Sequence, residues 1–255
     1  MTGVQTCALP ISKVEAPLMP LSLFRLRNVS TSNIAGILWA AGMFAWFFLS
    51  ALYMQLVLGY TPFQIGLAFL PANLIMAAFS LGLSAKMVLR FGIRWSLTVG
   101  LSLVAIGLFL LARAPVNGTF VAHVLPSMLI LGFGCGISFN PMLLAAMSDV
   151  PPDESGLASG VVNTAFMMGG ALGLAVLASV AASRTSSLEA GGLGDTAALV
   201  GGYHVAFIVG AVFTLTAALL GAVFVREVVA SAPHLHLPHH EHQHAAGPER
   251  EAARD

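Results

Sequence analysis

Charged residues are scarce in this chain: Asp, Glu, Lys and Arg make up only 9% of its 255 residues, while 57% are hydrophobic. A soluble domain carries about 25% charged residues, so this composition excludes an ordinary water-soluble globule. It also excludes a disordered chain, because disordered chains contain few apolar residues. The 11 basic and 11 acidic residues cancel, so no net positive charge recruits nucleic acid.

Cysteine is almost absent as well. Cys7 and Cys135 are the two cysteines of the chain, too few for a disulfide framework or for a structural zinc site of about four ligands. The sequence also lacks a phosphate-binding loop, a catalytic triad and a zinc-protease motif. No residue pattern therefore supports an enzyme, and none requires a cofactor.

The first eleven residues, MTGVQTCALPI, resemble the translation of a short-read sequencing adapter. They have neither the charged start nor the continuous apolar stretch of a signal peptide. We therefore expect residues 1–11 to be an artefact, and we expect part of the gene upstream of Ser12 to be missing.

Long uncharged stretches dominate the rest of the chain. No charged residue lies between Arg27 and Lys86; this stretch is too long for one membrane helix and fits two, with a break at Gly59 and Pro62. The pattern predicts an all-α membrane protein in which a lead-in segment, 12–32, precedes a six-helix domain, 33–226, and a tail, 227–255. The expected spans are about 34–58, 64–85, 95–112, 122–147, 156–181 and 204–225.

The loop charges predict the orientation, because positively charged residues favour the cytoplasmic side. With both termini on one side, seven basic residues lie on that side and two on the other. We therefore expect a protein of the plasma membrane. Both termini and the 86–94 loop would lie on its cytoplasmic side, and the 113–121 and 182–203 loops on its outer side. The seven are Lys13, Arg25, Arg27, Lys86, Arg90, Arg94 and Arg226, and the two are Arg113 and Arg184.

An internal repeat relates the two halves of this domain. The segment from Pro62 to Asn73 matches the segment from Pro152 to Asn163 at five positions, including a Pro, a Gly and an Asn. The repeating unit is then three helices, and an odd number of spans inverts the second unit in the membrane. Two inverted three-helix repeats within six helices are typical of transporters.

Three stretches resemble the major facilitator superfamily, and in particular the C-terminal six-helix half of fourteen-span drug:proton antiporters of the EmrB/QacA type. They are PLMPLSLFRLRN (17–28), LGYTPFQIGLAFLP (58–71) and SGLASGVVN (155–163), the last continuing to GGALG (169–173). The resemblance implies half of a multidrug efflux transporter that exports hydrophobic small molecules in exchange for protons by alternating access. It also implies an N-terminal half that is missing here.

The loop motif of that family, Gly-x-x-x-Asp-Arg-x-Gly-x-Arg, is incomplete in this chain. Arg90, Gly92 and Arg94 fit it, but Leu89 replaces the Asp and Ala85 replaces the first Gly. The two arginines are alternatively simple cytoplasmic anchors. None of the expected spans contains Asp, Glu, Lys or Arg; since proton coupling normally uses an intramembrane ionisable group, we expect that group in the missing half.

Amide and aromatic side chains are the candidates for a substrate cavity. An amide is tolerated in lipid only with a partner or water, so spans 1, 2, 4 and 5 are expected to line the interior and spans 3 and 6 to face lipid. Trp39, Trp46 and Tyr53 are spaced by seven and share one helix face, suited either to stacking on a flat ligand or to helix packing. The candidates are Trp39, Trp46, Tyr53, Gln55, Asn73, Asn140, Asn163 and Phe166. For the amides, interhelical hydrogen bonding is the alternative.

Glycine pairs at four-residue spacing predict close helix contacts. They are Gly132 and Gly136, Gly156 and Gly160, and Gly169 and Gly173. Pro71 and Pro141 lie within expected spans and predict kinks.

The tail is rich in histidine, and its spacing suits weak binding of a soft divalent metal; a solvated, disordered tail is the alternative. The histidines are His234, His236, His239, His240, His242 and His244. Two rivals to a transporter remain at this stage. One is a membrane-embedded scaffold without a transport cycle, and the other is a six-span channel, although no charged ring or carbonyl filter sequence is present.

Overall fold

The computed structural model describes residues 27–151 and 154–225. These residues are helical apart from short connections, and five of their helical stretches are long and apolar enough to cross a membrane. The all-α membrane fold predicted from composition is confirmed. The helices are α1 (Arg27–Leu56), α2 (Pro62–Ala78), α3 (Ser84–Leu111), α4 (Leu125–Met147), α5 (Ser155–Ala190) and α6 (Asp195–Phe224), with π-helical turns at Phe79–Leu83 and Phe120–Val124.

The second stretch joins α2 to α3 without a loop and contains 50 residues, from Pro62 to Leu111. A straight helix of that length would measure about 75 Å, more than twice the roughly 30 Å of hydrocarbon in a bilayer. It is divided at Gly92, whose φ of 83° and ψ of 165° are not helical. Glycine adopts a positive φ without steric penalty, so the break falls where the sequence permits it.

Glycine contacts show that the chain reverses direction at Gly92. Residue numbers at the contacts of α2 with α4 rise together on both helices, so these two helices are parallel. At the contacts of α3 with α4 the numbers rise on α3 and fall on α4, so these two are antiparallel. The contacts are Ala72 with Gly132 and Met76 with Gly136 for α2, and Gly100 with Ser138 and Gly107 with Leu131 for α3. The five stretches therefore contain six helical segments.

The other helix pairs complete an alternating arrangement. The helices α1 and α5 run in the same direction, while α6 runs opposite to both α3 and α5. The contacts are Ile37 with Gly169 and Ala41 with Gly173; Leu97 with Gly221 and Leu108 with Gly210; and Leu177 with Gly210 and Leu188 with Gly201. Successive helices thus alternate, and the unit α4–α6 starts in the direction opposite to the unit α1–α3.

Several expected boundaries differ from the structure. The first helix begins at Arg27 rather than near 34, and the expected 86–94 loop is helical as far as Phe91. The expected 182–203 loop is only a turn, because α5 extends to Ala190 and α6 begins at Asp195. Polar residues lowered the hydropathy of these segments, but helix packing continues through them, as the contact of Leu188 with Gly201 shows.

The hydrophobic core lies between all six helices. Its largest fully buried side chains include Trp39, Trp46, Tyr53, Phe207, Leu101 and Leu108. The outward faces of α3 and α6 carry exposed large apolar side chains such as Ile106, Phe109, Val212 and Leu219. Apolar exposure of this extent suits a lipid environment rather than water.

Candidate functional site

An open groove separates the N-terminal halves of α1 and α5. Further along, Gly169 packs against Ile37, so closely that a side chain on the glycine would collide with the α1 backbone. Towards the helix starts the two helices diverge, and apart from the local backbone no atom of the described residues lies within 4 Å of a Cβ placed on Gly156 or Gly160. The space left has a volume of about 610 Å³, which lies in the range of small-molecule sites.

The groove is lined mainly by apolar residues, with a few polar ones on α1 and α5. Its lining consists of Ser30, Asn33, Ile34, Ile37, Gly156, Leu157, Gly160, Val161, Thr164, Ala165 and Met168. None of these side chains is charged. An apolar wall with a small number of polar groups is the usual composition of a site for an uncharged or weakly polar molecule.

Gly156 and Gly160 therefore differ from the other predicted packing glycines. The pair Gly132 and Gly136 packs against the backbone of α2, and Gly169 and Gly173 pack against α1. In this structure Gly156 and Gly160 form no helix contact; they keep the groove open. The spacing alone did not distinguish the two situations, because it does not show what the glycine face meets.

Asn33 is an amide at the groove that the sequence analysis did not include among its candidates. It lies just before the expected start of the first span, and it is buried within α1. Its Nδ2 donates a hydrogen bond to the carbonyl of Val29 at 2.8 Å. Its Oδ1 is buried and accepts no hydrogen bond from the described residues. The expected first span began near residue 34 and so excluded Asn33. A helix that begins at Arg27 includes Asn33 among the candidate amides.

The aromatic stripe of α1 lies in the core rather than on a cavity wall. Trp39, Trp46 and Tyr53 are all at most 2% exposed. The Trp39 ring lies 5.4 Å from that of Phe166, and Tyr53 donates a hydrogen bond to the carbonyl of Pro115 at 2.8 Å. Their burial favours the packing alternative for all three, and for Phe166 as their partner.

The four predicted amides are not brought together. Asn140 donates from Nδ2 to the carbonyl of Ser80 at 2.6 Å and so bonds α4 to the π-helical turn that follows α2. Gln55 and Asn163 are exposed, and Asn73 is partly buried. Only Asn163 lies beside the groove in sequence, next to the lining residue Thr164.

The incomplete loop motif occupies the reversal between α2 and α3. Gly92 provides the non-helical backbone, and Arg90 and Arg94 flank it with exposed side chains. The Arg90 guanidinium lies 5.5 Å from the Phe91 ring centre. This placement supports the anchor alternative for both arginines, since cationic side chains favour the membrane surface.

The histidines do not form a metal centre among residues 27–151 and 154–225. Within this part of the chain, His204 Nε2 lies 2.7 Å from the carbonyl oxygen of Ala114, and His123 Nδ1 accepts from the backbone N–H of Thr119 at 3.2 Å. The six tail histidines from His234 to His244 lie outside the described residues.

The chain is similar in sequence to known membrane transport proteins. The sequence profile of the family described as "Major Facilitator Superfamily" matches residues 7–174. The chain is 34% identical to the cephamycin export protein CmcT of Amycolatopsis lactamdurans over 209 residues, which are 82% of this chain and 41% of that protein. It is 33% identical to the puromycin resistance protein pur8 of Streptomyces alboniger over 218 residues, 85% of this chain and 43% of that protein.

A third relative is the multidrug efflux pump LfrA of Mycolicibacterium smegmatis, 30% identical over 169 residues, which cover 66% of this chain and 33% of the pump. The chain thus spans less than half the length of these curated relatives.

Proposed function

The chain belongs to the major facilitator superfamily, and from this premise we propose that the protein exports apolar drug-like molecules, with this chain supplying six helices of the transporter. The relatives named for cephamycin export, puromycin resistance and multidrug efflux support a drug substrate. The observation that carries the proposal is the uncharged 610 Å³ groove between α1 and α5. An exporter of apolar compounds needs such a site, whereas a scaffold protein does not.

Alternating access is the proposed mechanism. In it, six helices of this chain rock against a further set of helices around a site near the middle of the membrane. The alternation of helix direction, which inverts α4–α6 relative to α1–α3, supports this mechanism. Because α1 and α5 form the groove, they are the proposed members of the substrate path.

Proton antiport is part of the proposal. We propose that the ionisable group that couples proton movement to export lies in helices outside this chain. The charged residues of α3 and α5 lie towards the helix ends, and no Asp, Glu, Lys or Arg occurs within residues 28–85, 95–112, 125–147, 155–183 or 196–225. Intramembrane proton transfer normally needs such a group. The remaining helices of the full transporter are therefore the expected source.

Drug accumulation in cells tests the proposal. The full gene, with any coding sequence upstream of Ser12, is expressed in a bacterial strain without its own efflux pumps, and intracellular puromycin is measured. We expect lower accumulation than in cells with an empty vector, and restored accumulation when a protonophore is added. Equal accumulation with and without the gene, for puromycin and for a cephamycin, would favour a scaffold without a transport cycle.

A variant that fills the groove links the activity to the site. Gly160→Leu places a side chain into open space, and Gly66→Leu does the same on α2, away from the groove, since neither glycine has a neighbour within 4 Å of its Cβ position. We expect Gly160→Leu to abolish export and Gly66→Leu to preserve it. Equal export by both variants would show that the groove is not the substrate site.

A further inference from the structure

We propose that Lys86, Arg90 and Arg94 bind the phosphate of an anionic phospholipid in the membrane leaflet at the Gly92 reversal. The inference does not depend on the proposed function, because it concerns the outward surface of α3 rather than the groove. It gives a partner to three exposed cationic side chains that form no ion pair with the described residues.

The three cations project from a backbone that is anchored in the bundle. Lys86 and Arg90 lie one helical turn apart, and Arg94 follows just after the break in the helix. Val88 and Leu97, from the same segment, are buried in the core. Only the cationic side chains therefore need to be ordered when an anion binds, which keeps the entropic cost of binding small.

Exposed apolar side chains along α3 indicate the depth of the cations in the membrane. One helix face carries them at spacings of three, four and seven residues: Trp95, Val99, Ile106 and Phe109. From Trp95 to Arg113 the helix rises about 27 Å, close to the roughly 30 Å of hydrocarbon in a bilayer. Trp95 thus lies at one membrane surface, where tryptophan is enriched, and the neighbouring cations lie at the level of the headgroup phosphates.

No acidic side chain of the described residues neutralises these cations. Leu89 stands beside Arg90 at the position where the family's loop motif has Asp. Asp149 and Glu154 are the described acidic residues at this end of the bundle, and neither forms an ion pair with the three cations. A basic side chain near an anionic lipid surface gains about fivefold in affinity, so three uncompensated ones favour anionic lipid strongly.

The apolar residues between the cations identify a lipid as the partner rather than a soluble anion. Leu89, Phe91 and Trp95 are 75%, 54% and 61% exposed, and the Arg90 guanidinium lies near the Phe91 ring. A free phosphate ion would pair with the charges but leave this apolar surface uncovered. A zwitterionic lipid would cover the surface, but its own cation offsets its phosphate. An anionic phospholipid meets both requirements.

Trp95 reports which lipid occupies this position. The chain has three tryptophans, and Trp39 and Trp46 are buried in the core, away from lipid. The purified 255-residue chain is reconstituted into mixtures of phosphatidylglycerol and phosphatidylcholine with the same acyl chains, one of them brominated. Bromine quenches tryptophan fluorescence on contact, and only the quenching that Trp95→Phe removes is counted. We expect phosphatidylglycerol to bind at Trp95 at least about tenfold more tightly.

Charge variants assign that preference to the cluster. Leu89→Asp places an acid beside Arg90 and should reduce the preference about fivefold, whereas Leu89→Asn, of the same size but uncharged, should leave it unchanged. Replacing Lys86, Arg90 and Arg94 together by Gln should make the two lipids bind equally. Arg113→Gln, at the other end of α3, should have no effect. Thermal unfolding checks that each variant folds, and Leu89→Asp carries the test if the triple variant does not.

Four results would overturn the inference. The first two are equal binding of both lipids by the wild type, and a preference that persists in the triple Gln variant. The third is a loss in Leu89→Asn or Arg113→Gln as large as in Leu89→Asp, because the preference would then not depend on local charge. The fourth is a preference that inorganic phosphate abolishes while sodium chloride of equal ionic strength does not, since the cluster would then bind free phosphate.

Discussion

Asn140 of α4 donates its side-chain amide to the backbone carbonyl of Ser80 at 2.6 Å. In a regular α-helix that carbonyl would accept from the N–H of the residue four positions later, Ser84. In the π-helical turn Phe79–Leu83 the Ser84 N–H bonds to the carbonyl of Phe79 instead. The turn thus frees the Ser80 carbonyl, and a side chain from the neighbouring helix satisfies it.

A second hydrogen bond runs in the other direction, from Ser84, the first residue of α3 after this turn, to α4. Pro141 has no N–H, so the carbonyl of Ile137, four residues earlier, loses its helical donor. The Ser84 hydroxyl donates to that carbonyl at 3.3 Å, and both Ser84 and Ile137 are fully buried. Two irregularities in facing helices therefore satisfy each other, which is how a membrane helix tolerates proline.

Asn140→Leu should destabilise the fold by about 1 kcal/mol, because it removes an interhelical hydrogen bond and leaves the Ser80 carbonyl without a donor. Reversible unfolding in mixed micelles measures the free energy. Asn163→Leu is the matched control, since Asn163 is exposed and forms no hydrogen bond with the described residues; it should leave stability unchanged. Equal losses in both variants would contradict the role of the Asn140 bond.

Ser84→Ala and Pro141→Ala should be strongly coupled. In the wild type, Ser84→Ala leaves the Ile137 carbonyl unsatisfied and should cost about 1 kcal/mol. In the Pro141→Ala background, the new backbone N–H of residue 141 reaches that carbonyl, so Ser84→Ala should cost almost nothing. A double-mutant cycle on the free energy of unfolding measures the coupling, and additive effects would show that Ser84 does not replace the missing donor.

The sequence predicted the helical membrane fold well, because long uncharged stretches have few other structures. It predicted the break at Gly59 and Pro62, where α2 begins with a capping box between Thr61 and Gln64. It did not predict the end of α5 or the start of α6, since hydropathy falls at Ser183 and Arg184 although the helix continues. Packing against a neighbouring helix decides where α5 ends and α6 begins, and a single sequence does not show which helices are neighbours.

The candidate site was less predictable for a related reason. Periodicity placed Trp39, Trp46 and Tyr53 on one face of α1, but it did not show that this face meets the core. The four-residue spacing of Gly156 and Gly160 matched that of the packing pairs, although the helices diverge there. Asn33 escaped notice because its neighbours are polar, so only the helix start at Arg27 brings it into the site.

Glycine substitutions should separate the packed pairs from the groove pair. Gly132→Ala places a methyl group against the α2 backbone at Ala72, and overpacking of this kind costs about 1–3 kcal/mol. Gly156→Ala meets no atom within 4 Å and should be neutral or stabilise the helix by up to about 1 kcal/mol. Unfolding in mixed micelles measures both changes. A loss of stability in Gly156→Ala as large as in Gly132→Ala would show that α1 and α5 close in solution.

Cysteine labelling should place the Gly92 reversal in the cytoplasm. Lys86, Arg90 and Arg94 gather at this end of α3, and basic residues are retained on the cytoplasmic side. Leu89 is 75% exposed there, so we expect Leu89→Cys to react with a membrane-impermeant maleimide only after the cells are permeabilised. The native Cys135 is 1% exposed and should stay unlabelled, while Cys7 is replaced by serine.

Ser187→Cys should react in intact cells, because it lies near the end of α5, and α5 runs in the same direction as α3. The start of α3 and the end of α5 must then lie on opposite sides of the membrane. Since successive helices alternate, these two positions together determine the orientation of all six segments. Labelling of Leu89→Cys in intact cells, with protection of Ser187→Cys, would reverse the orientation; labelling of both in intact cells would contradict the alternation itself.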